Sequence, residues 1–184
     1  MTEHVRNVLL AVLVCCPVAG GRTWDSAVAV VRVRVARTVS VGVLAGTIDA
    51  GVVDAGAVRA VVGFRVEANA PAVTFYVEAT GLHKAGRAEG TAVAAIPVDR
   101  AAGVTIAPTD AAPAGRTSNV ATWSESTAID GMPAEKSEPI RFASSRAATF
   151  SQDVHVTVTW DQADPARPVG VYAGRVKLTA MIMP

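Results

Sequence analysis

The sequence predicts an all-β, antiparallel β-sandwich, and three observations carry the prediction. Apolar residues make up 51% of the 184-residue chain, with valine and alanine dominant and leucine scarce. The branched Cβ of valine suits a pleated strand. Apolar positions recur at every second residue over several stretches, where a helix would space them by three and four. The 15 glycines and 10 prolines fall largely between those stretches, as turn chemistry requires.

Composition also excludes function classes. The 17 basic and 16 acidic side chains leave a net charge of +1. That is no electrostatic footprint for a polyanion, so neither nucleic acid nor an acidic membrane surface is expected as a partner. The apolar content is too high for a disordered chain, and the length suits one domain with at most a short appendage.

The elements follow in order. Val8–Cys16 is an uninterrupted apolar run ended by Pro17, with Arg6 before it and Arg22 and Asp25 after it. It is shorter than the roughly 20 residues of a spanning helix and has the proportions of a secretory signal. Residues 1–29 are therefore expected to be a leader, cleaved after Ala27-Val28-Ala29, with Val18-Ala19-Gly20 as the alternative site. The competing reading is a buried N-terminal strand or helix. Cleavage would remove both cysteines, Cys15 and Cys16, and with them any disulfide or thiolate chemistry. Val14 and Cys15 are poor residues to precede a lipidated cysteine. No membrane span is expected in the mature chain.

From Ala29 to Val43 the odd positions carry Val31, Val33, Val35, Val39, Val41 and Val43, interrupted by Arg37. The even ones are polar or small, including Arg32 and Arg34. This reads as two strand-forming segments in one register, 31–35 and 39–43. Val62–Ala68 and Val73–Ala79 alternate likewise and, joined by Asn69-Ala70-Pro71-Ala72, are expected to pair as a hairpin. Shorter candidates are 93–98, 104–107, 120–123 and 140–143. The region 107–137 reads as long loops. Val154, Val156, Val158 and Trp160 share one face of a strand, which puts Trp160 in the core. After a loop at 161–169, residues 170–182 read as a closing strand with Tyr172 near its start. There Val176, Leu178, Ala180 and Ile182 point inward.

The closing run Gly170-Val171-Tyr172-Ala173-Gly174-Arg175-Val176-Lys177-Leu178-Thr179 resembles the last strand of exported bacterial immunoglobulin-like sandwiches. The whole layout is similar to that of pilin subunits of chaperone–usher fimbriae: a leader, then an alternating apolar strand, then a C-terminus inside a strand. The sequence lacks the disulfide of the best-known members. The resemblance implies an Ig-like sandwich over 39–184 that is incomplete, with an open groove. A periplasmic chaperone fills that groove first, and the N-terminal strand of another copy then replaces it, delivered through an outer-membrane usher. Residues 30–38 would be the extension, with Val31, Val33 and Val35 as donor-strand anchors and Arg32 and Arg34 facing solvent. The expected location is the periplasm in transit and then a surface fibre. A second reading stays open: a complete, exported, monomeric sandwich that binds a ligand, such as an adhesin. An N-terminal alternating strand is ordinarily an edge strand of its own sheet.

No enzymatic constellation is present in the sequence. His4, His83 and His155 share no metal-ligand spacing, and neither a Gly-x-Ser-x-Gly turn nor a phosphate-cradling glycine loop occurs. No cofactor or metal is expected. Asp153, Asp161 and Asp164, and Glu125, Asp130, Glu135 and Glu138, read as solvated turn and loop acids. Trp123 and Tyr76 are the residues that could stack a sugar.

Overall fold

The computed structural model describes residues 32, 36–51, 55–85, 94–146 and 148–183, and those residues contain thirteen β-strands and no helix. The strands are β1 (Val39–Val43), β2 (Gly56–Ala68), β3 (Ala72–Thr80), β4 (His83–Lys84), β5 (Val104–Pro108), β6 (Ala111–Pro113) and β7 (Val120–Ala121). They continue with β8 (Trp123–Ile129), β9 (Met132–Ser137), β10 (Ile140–Ser144), β11 (Phe150–Gln162), β12 (Tyr172–Ala173) and β13 (Val176–Met181).

Period-two alternation builds the first sheet, ordered β1-β2-β11-β5-β7 and antiparallel throughout. Its long pair is β2 with β11, in register from Gly56 opposite Gln162 to Ala68 opposite Phe150. Residues directly opposite one another share a face. Val58, Val62, Phe64 and Val66 therefore meet Trp160, Val156, Val154 and Gln152 on one buried side.

In the second sheet β3 is central. β13 runs along one edge of it. The other edge is shared in succession by β10, opposite Ala72 to Phe75, and β9, opposite Glu78 to Thr80. β6 lies outside β10, and β8 outside β9. Where β9 hands over to β10 the ladder has a gap at Val77. The hydroxyl of Ser137 fills it, accepting the Val77 N–H at 3.0 Å and donating to the Glu138 carbonyl oxygen at 3.0 Å. A buried amide thus keeps its partner.

The two sheets enclose one core. Phe75 of the second sheet sits between Phe142 and Phe150, with ring centroids 5.7 and 5.5 Å away. Trp160 of the first sheet is buried as its parity requires.

Four expectations are corrected. β2 and β3 do not form a hairpin: they lie in different sheets, and residues 69–71 arch between the layers. Both strands carry an apolar face, and here the two faces are buried against one another across the core. Residues 107–137 are not long loops but include β6, β8 and β9. The β8–β9 hairpin turns on Asp130 and Gly131, whose φ values of 47° and 79° are those of the turn that Asp-Gly favours. Within 93–98 the described residues contribute isolated bridges, Ile96 to Leu82 and Val98 to Trp160, in place of a strand. Residues 170–182 are not one strand. Tyr172 belongs to β12, which pairs with β4 in a separate two-stranded sheet. The break holds Gly174, where close packing leaves no room for a side chain: a Cβ there would lie 2.8 Å from Leu82 Cδ2 and 3.0 Å from the Gly81 carbonyl oxygen.

Candidate strand-docking edge

Among the described residues, strand β1 pairs only with β2, so its other border is an edge of the first sheet. Val39, Val41 and Val43 stand opposite Ala68, Val66 and Phe64 and so face the interior with them. Burial separates the two sets. Ala68, Val66 and Phe64 are at most 7% exposed, whereas Val39, Val41 and Val43 are 36, 38 and 57% exposed. Inward-facing valines that meet solvent mark β1 as the thinly covered margin of the core, while the core residues beside it stay buried.

Strand β13 forms the facing border. It pairs with β3 from Val176 opposite Ala79 to Met181 opposite Thr74. Among the described residues, no strand pairs with its other edge. Leu178 is buried, while Val176, Ala180 and, just past the strand end, Ile182 are half-buried against the core. β1 and β13 run beside one another without sharing a ladder, so here the sheets are closed by contact alone.

The two borders meet at the arch. Arg37 lies on the same parity as Val39, and its Nη1 donates to the Met183 carbonyl oxygen at 3.0 Å. This explains why an arginine interrupts the apolar face: it reaches across to the end of the other sheet. Asn69, the first residue of the arch, continues the β1–β2 ladder. Its backbone N–H donates to the Thr38 carbonyl oxygen at 3.3 Å. Its side-chain Oδ1 accepts the Thr38 N–H at 2.7 Å, and its Nδ2 donates to the Ala36 carbonyl oxygen at 2.7 Å.

The outer face of this sheet is polar. Glu78, almost wholly buried, lies 2.8 Å from Lys177 Nζ through Oε2 and accepts from Thr127 Oγ1 at 3.4 Å through Oε1. The Glu78 hydrogen bond, helped by the carboxylate charge, holds Lys177 above the ordinary lysine value. Lys136 Nζ bonds Glu125 at 2.8 Å and is likewise raised, mainly by that bond. It also lies 5.0 Å from the centroid of the Tyr76 ring.

The proposed donor anchors Val31, Val33 and Val35 lie outside the described residues, as does the leader. Of the closing-strand residues, Val176, Leu178, Ala180 and Ile182 line the inner side, and Tyr172 does not join them. The Tyr172 hydroxyl donates to the Pro168 carbonyl oxygen at 2.8 Å. Trp123 is in the core and Tyr76 on the outer face of the second sheet, so the two form no common platform. His83 lies in β4 and His155 on the exposed face of β11. Asp153 pairs with Arg65 at 3.2 Å, Asp130 with Arg175, and Glu135 with Arg100 at 3.7 Å. Asp164 Oδ1 accepts the Ala166 N–H at 2.9 Å. Among the described residues, no group of three His, Cys, Asp or Glu side chains is placed to hold a metal ion, and no helix is long and apolar enough to cross a membrane.

Sequence reasoning missed Asn69, which reads as an ordinary turn residue, and Ser137, which lay in the supposed loops. No protein-family model, curated protein or solved structure matches the chain.

Proposed function

We propose that the protein is a structural subunit of a surface fibre, assembled by strand addition. The carrying observation is the outer edge of β1, which has no ladder partner among the described residues and whose inward-facing Val39, Val41 and Val43 are half-exposed. Such an edge is an aggregation hazard unless a strand covers it.

Strand order supports the reading. An immunoglobulin sandwich places strands A, B, E and D in one sheet and C, F and G in the other. Here β1, β2, β11 and β5 occupy the first set, and β3 and β13 correspond to C and F. β6, β8, β9 and β10 are additions between β5 and β11. The position beyond β13, where G would pair, has no strand among the described residues.

The occupant is residues 30–36 of a second copy. Only alternate residues of an added strand face the core, and Val31, Val33 and Val35 meet that need with Arg32 and Arg34 turned to solvent. Burying three valines contributes about 5–9 kcal/mol, and main-chain pairing adds to it. A periplasmic chaperone would cover the edge in transit, and an outer-membrane usher would exchange it for the next subunit at the cell surface. The role is one of assembly.

Deleting residues 30–36 tests this directly. The fold should survive, and polymers should vanish from size-exclusion profiles. Replacing Val33 with Asp should block assembly while Arg34→Asp leaves it largely intact. Equal effects from the two, or polymers from the deleted chain, would refute the reading.

A further inference from the structure

We propose that the outer edge of β1 pairs with β1 of a second copy about a two-fold axis at Val41, forming a closed dimer. The inference goes beyond the strand-addition reading and does not rest on it, although both concern the same edge. In the β1–β2 ladder the bonded residues of β1 are the even ones. The Leu44 N–H donates to the Gly63 carbonyl oxygen at 2.9 Å, and the Thr38 carbonyl oxygen accepts the Asn69 N–H at 3.3 Å. Residues between bonded pairs of an antiparallel ladder turn their N–H and C=O groups to the opposite edge. Val39, Val41 and Val43 therefore present theirs outward, and all five residues of β1 are exposed. No charged residue and no proline occurs from Thr38 to Ile48, and the β1–β2 register has no bulge. Charges, prolines and bulges are what ordinarily keep an edge from pairing. β13, by contrast, carries Lys177.

The edge is complementary to itself. With the axis at Val41, Val39 stands opposite Val43 of the second copy, Val41 opposite Val41, and each outward N–H meets a C=O. The half-exposed valines then cover one another as cross-strand pairs. On the outer face Ser40 stands opposite Gly42 of the second copy, so the seam holds no bulky side chain there. Charge selects the register. Ser40 neighbours Glu67, and Gly42 neighbours Arg65, in the β1–β2 ladder. The axis at Val41 therefore sets Glu67 of one copy toward Arg65 of the other across two small residues. An axis at Ser40 would set Glu67 against Glu67, and one at Gly42 would set Arg65 against Arg65. A seam of five residues falls short of the roughly 1,200 Å² of a stable interface, so the pairing is reversible and concentration-dependent. Because a two-fold pair uses both edges, the dimer is closed and withholds β1 from any other strand.

Cysteine crosslinking reads the register. In full-length chains carrying Cys15→Ser and Cys16→Ser, Val41→Cys should give an intermolecular disulfide under mild oxidation. Opposed residues of a bonded pair lie about 5.5 Å apart, within disulfide reach. Val39→Cys and Val43→Cys should crosslink when the two variants are mixed and only weakly when each is alone; the mixed pair also serves if the Val41 variant does not fold. Glu67→Arg should lower the Val41→Cys yield severalfold, and adding Arg65→Glu should restore it, since the double change sets opposite charges face to face again. Positions 39 or 43 crosslinking alone as well as 41 does, or no intermolecular disulfide from any of these chains, would overturn the inference. Strand addition sets β1 beside residues 30–36 of another copy and yields none of these disulfides. Val33→Asp should therefore remove polymers and leave the Val41→Cys disulfide intact. Polymers without the disulfides would sink the dimer alone, and the disulfides without polymers would sink strand addition alone.

Discussion

Trp160 and Thr80 join the two sheets by a hydrogen bond: the indole Nε1 of β11 donates to the Thr80 carbonyl oxygen of β3 at 2.8 Å. The donor and acceptor are both buried, and the acceptor lies where β3 ends and the chain turns at Gly81. A buried indole needs a partner, and this one finds it in the opposite layer. Replacing Trp160 with Phe removes the bond and part of the ring volume. The expected cost is about 2 kcal/mol, read as a fall of about 4–8 °C in the thermal midpoint. An unchanged midpoint would show that the bond contributes nothing net.

Ser137 repairs a ladder. With its hydroxyl gone, the Val77 N–H has no partner in a fully buried site. Ser137→Ala is expected to cost about 1–3 kcal/mol. Hydrogen exchange at the Val77 amide should accelerate more than at Phe75, and uniform acceleration would count against a local role.

The Glu78–Lys177 pair gives a pH dependence of defined sign. Lys177 is raised above its ordinary value of 10.5, first by its bond to Glu78, so the native state holds that proton more tightly than the unfolded chain. The pair's stabilisation is fully present below the unfolded lysine value and is lost as pH rises through the higher native one. Denaturant midpoints measured from pH 9 to 12 should fall more steeply for the wild type than for Glu78→Gln. At neutral pH, Lys177→Met should destabilise by about 1–2 kcal/mol, because it leaves a nearly buried carboxylate without its cation. Much of that loss should return in the Glu78→Gln, Lys177→Met double variant.

The open edge predicts a ligand-induced rise in stability. A peptide of residues 30–36, added to chains lacking that segment, should raise the unfolding free energy by about 2.7 kcal/mol at a hundredfold excess over its Kd. The same peptide with Val33→Asp should not. A hydrophobic dye should bind the peptide-free chain and be displaced on addition. No displacement would mean that the β1–β13 border does not take a strand.

Much of the local structure was legible because strand periodicity is a local property. The alternation at 39–43, 62–68, 73–79 and 154–160 reports which side chains share a face, and the structure gives each of them a strand with that parity. The inward set on β13 was readable for the same reason. Asp130-Gly131 was an equally local signal, passed over because the region around it is rich in Pro, Ala, Ser and Thr.

What lay beyond the sequence was partnership. Nothing in Val62–Ala68 or Val73–Ala79 says whether the two pair edge to edge or face each other across a core, since both choices bury the same apolar residues. The tertiary structure chose the arch, with β2 taken up by β11 over thirteen residues and β3 by β13 over six. The same applies to Asn69 and Ser137. Their side chains matter because of backbone groups 31 or more residues away, and a hydrogen bond over such a span exists only once the chain has closed. The sequence by itself determined the faces of the strands, a consequence of backbone pleat. Only the folded chain decided which edges are joined and that, among the described residues, the outer edges of β1 and β13 carry no ladder partner, because pairing depends on contacts between distant segments that no local pattern encodes.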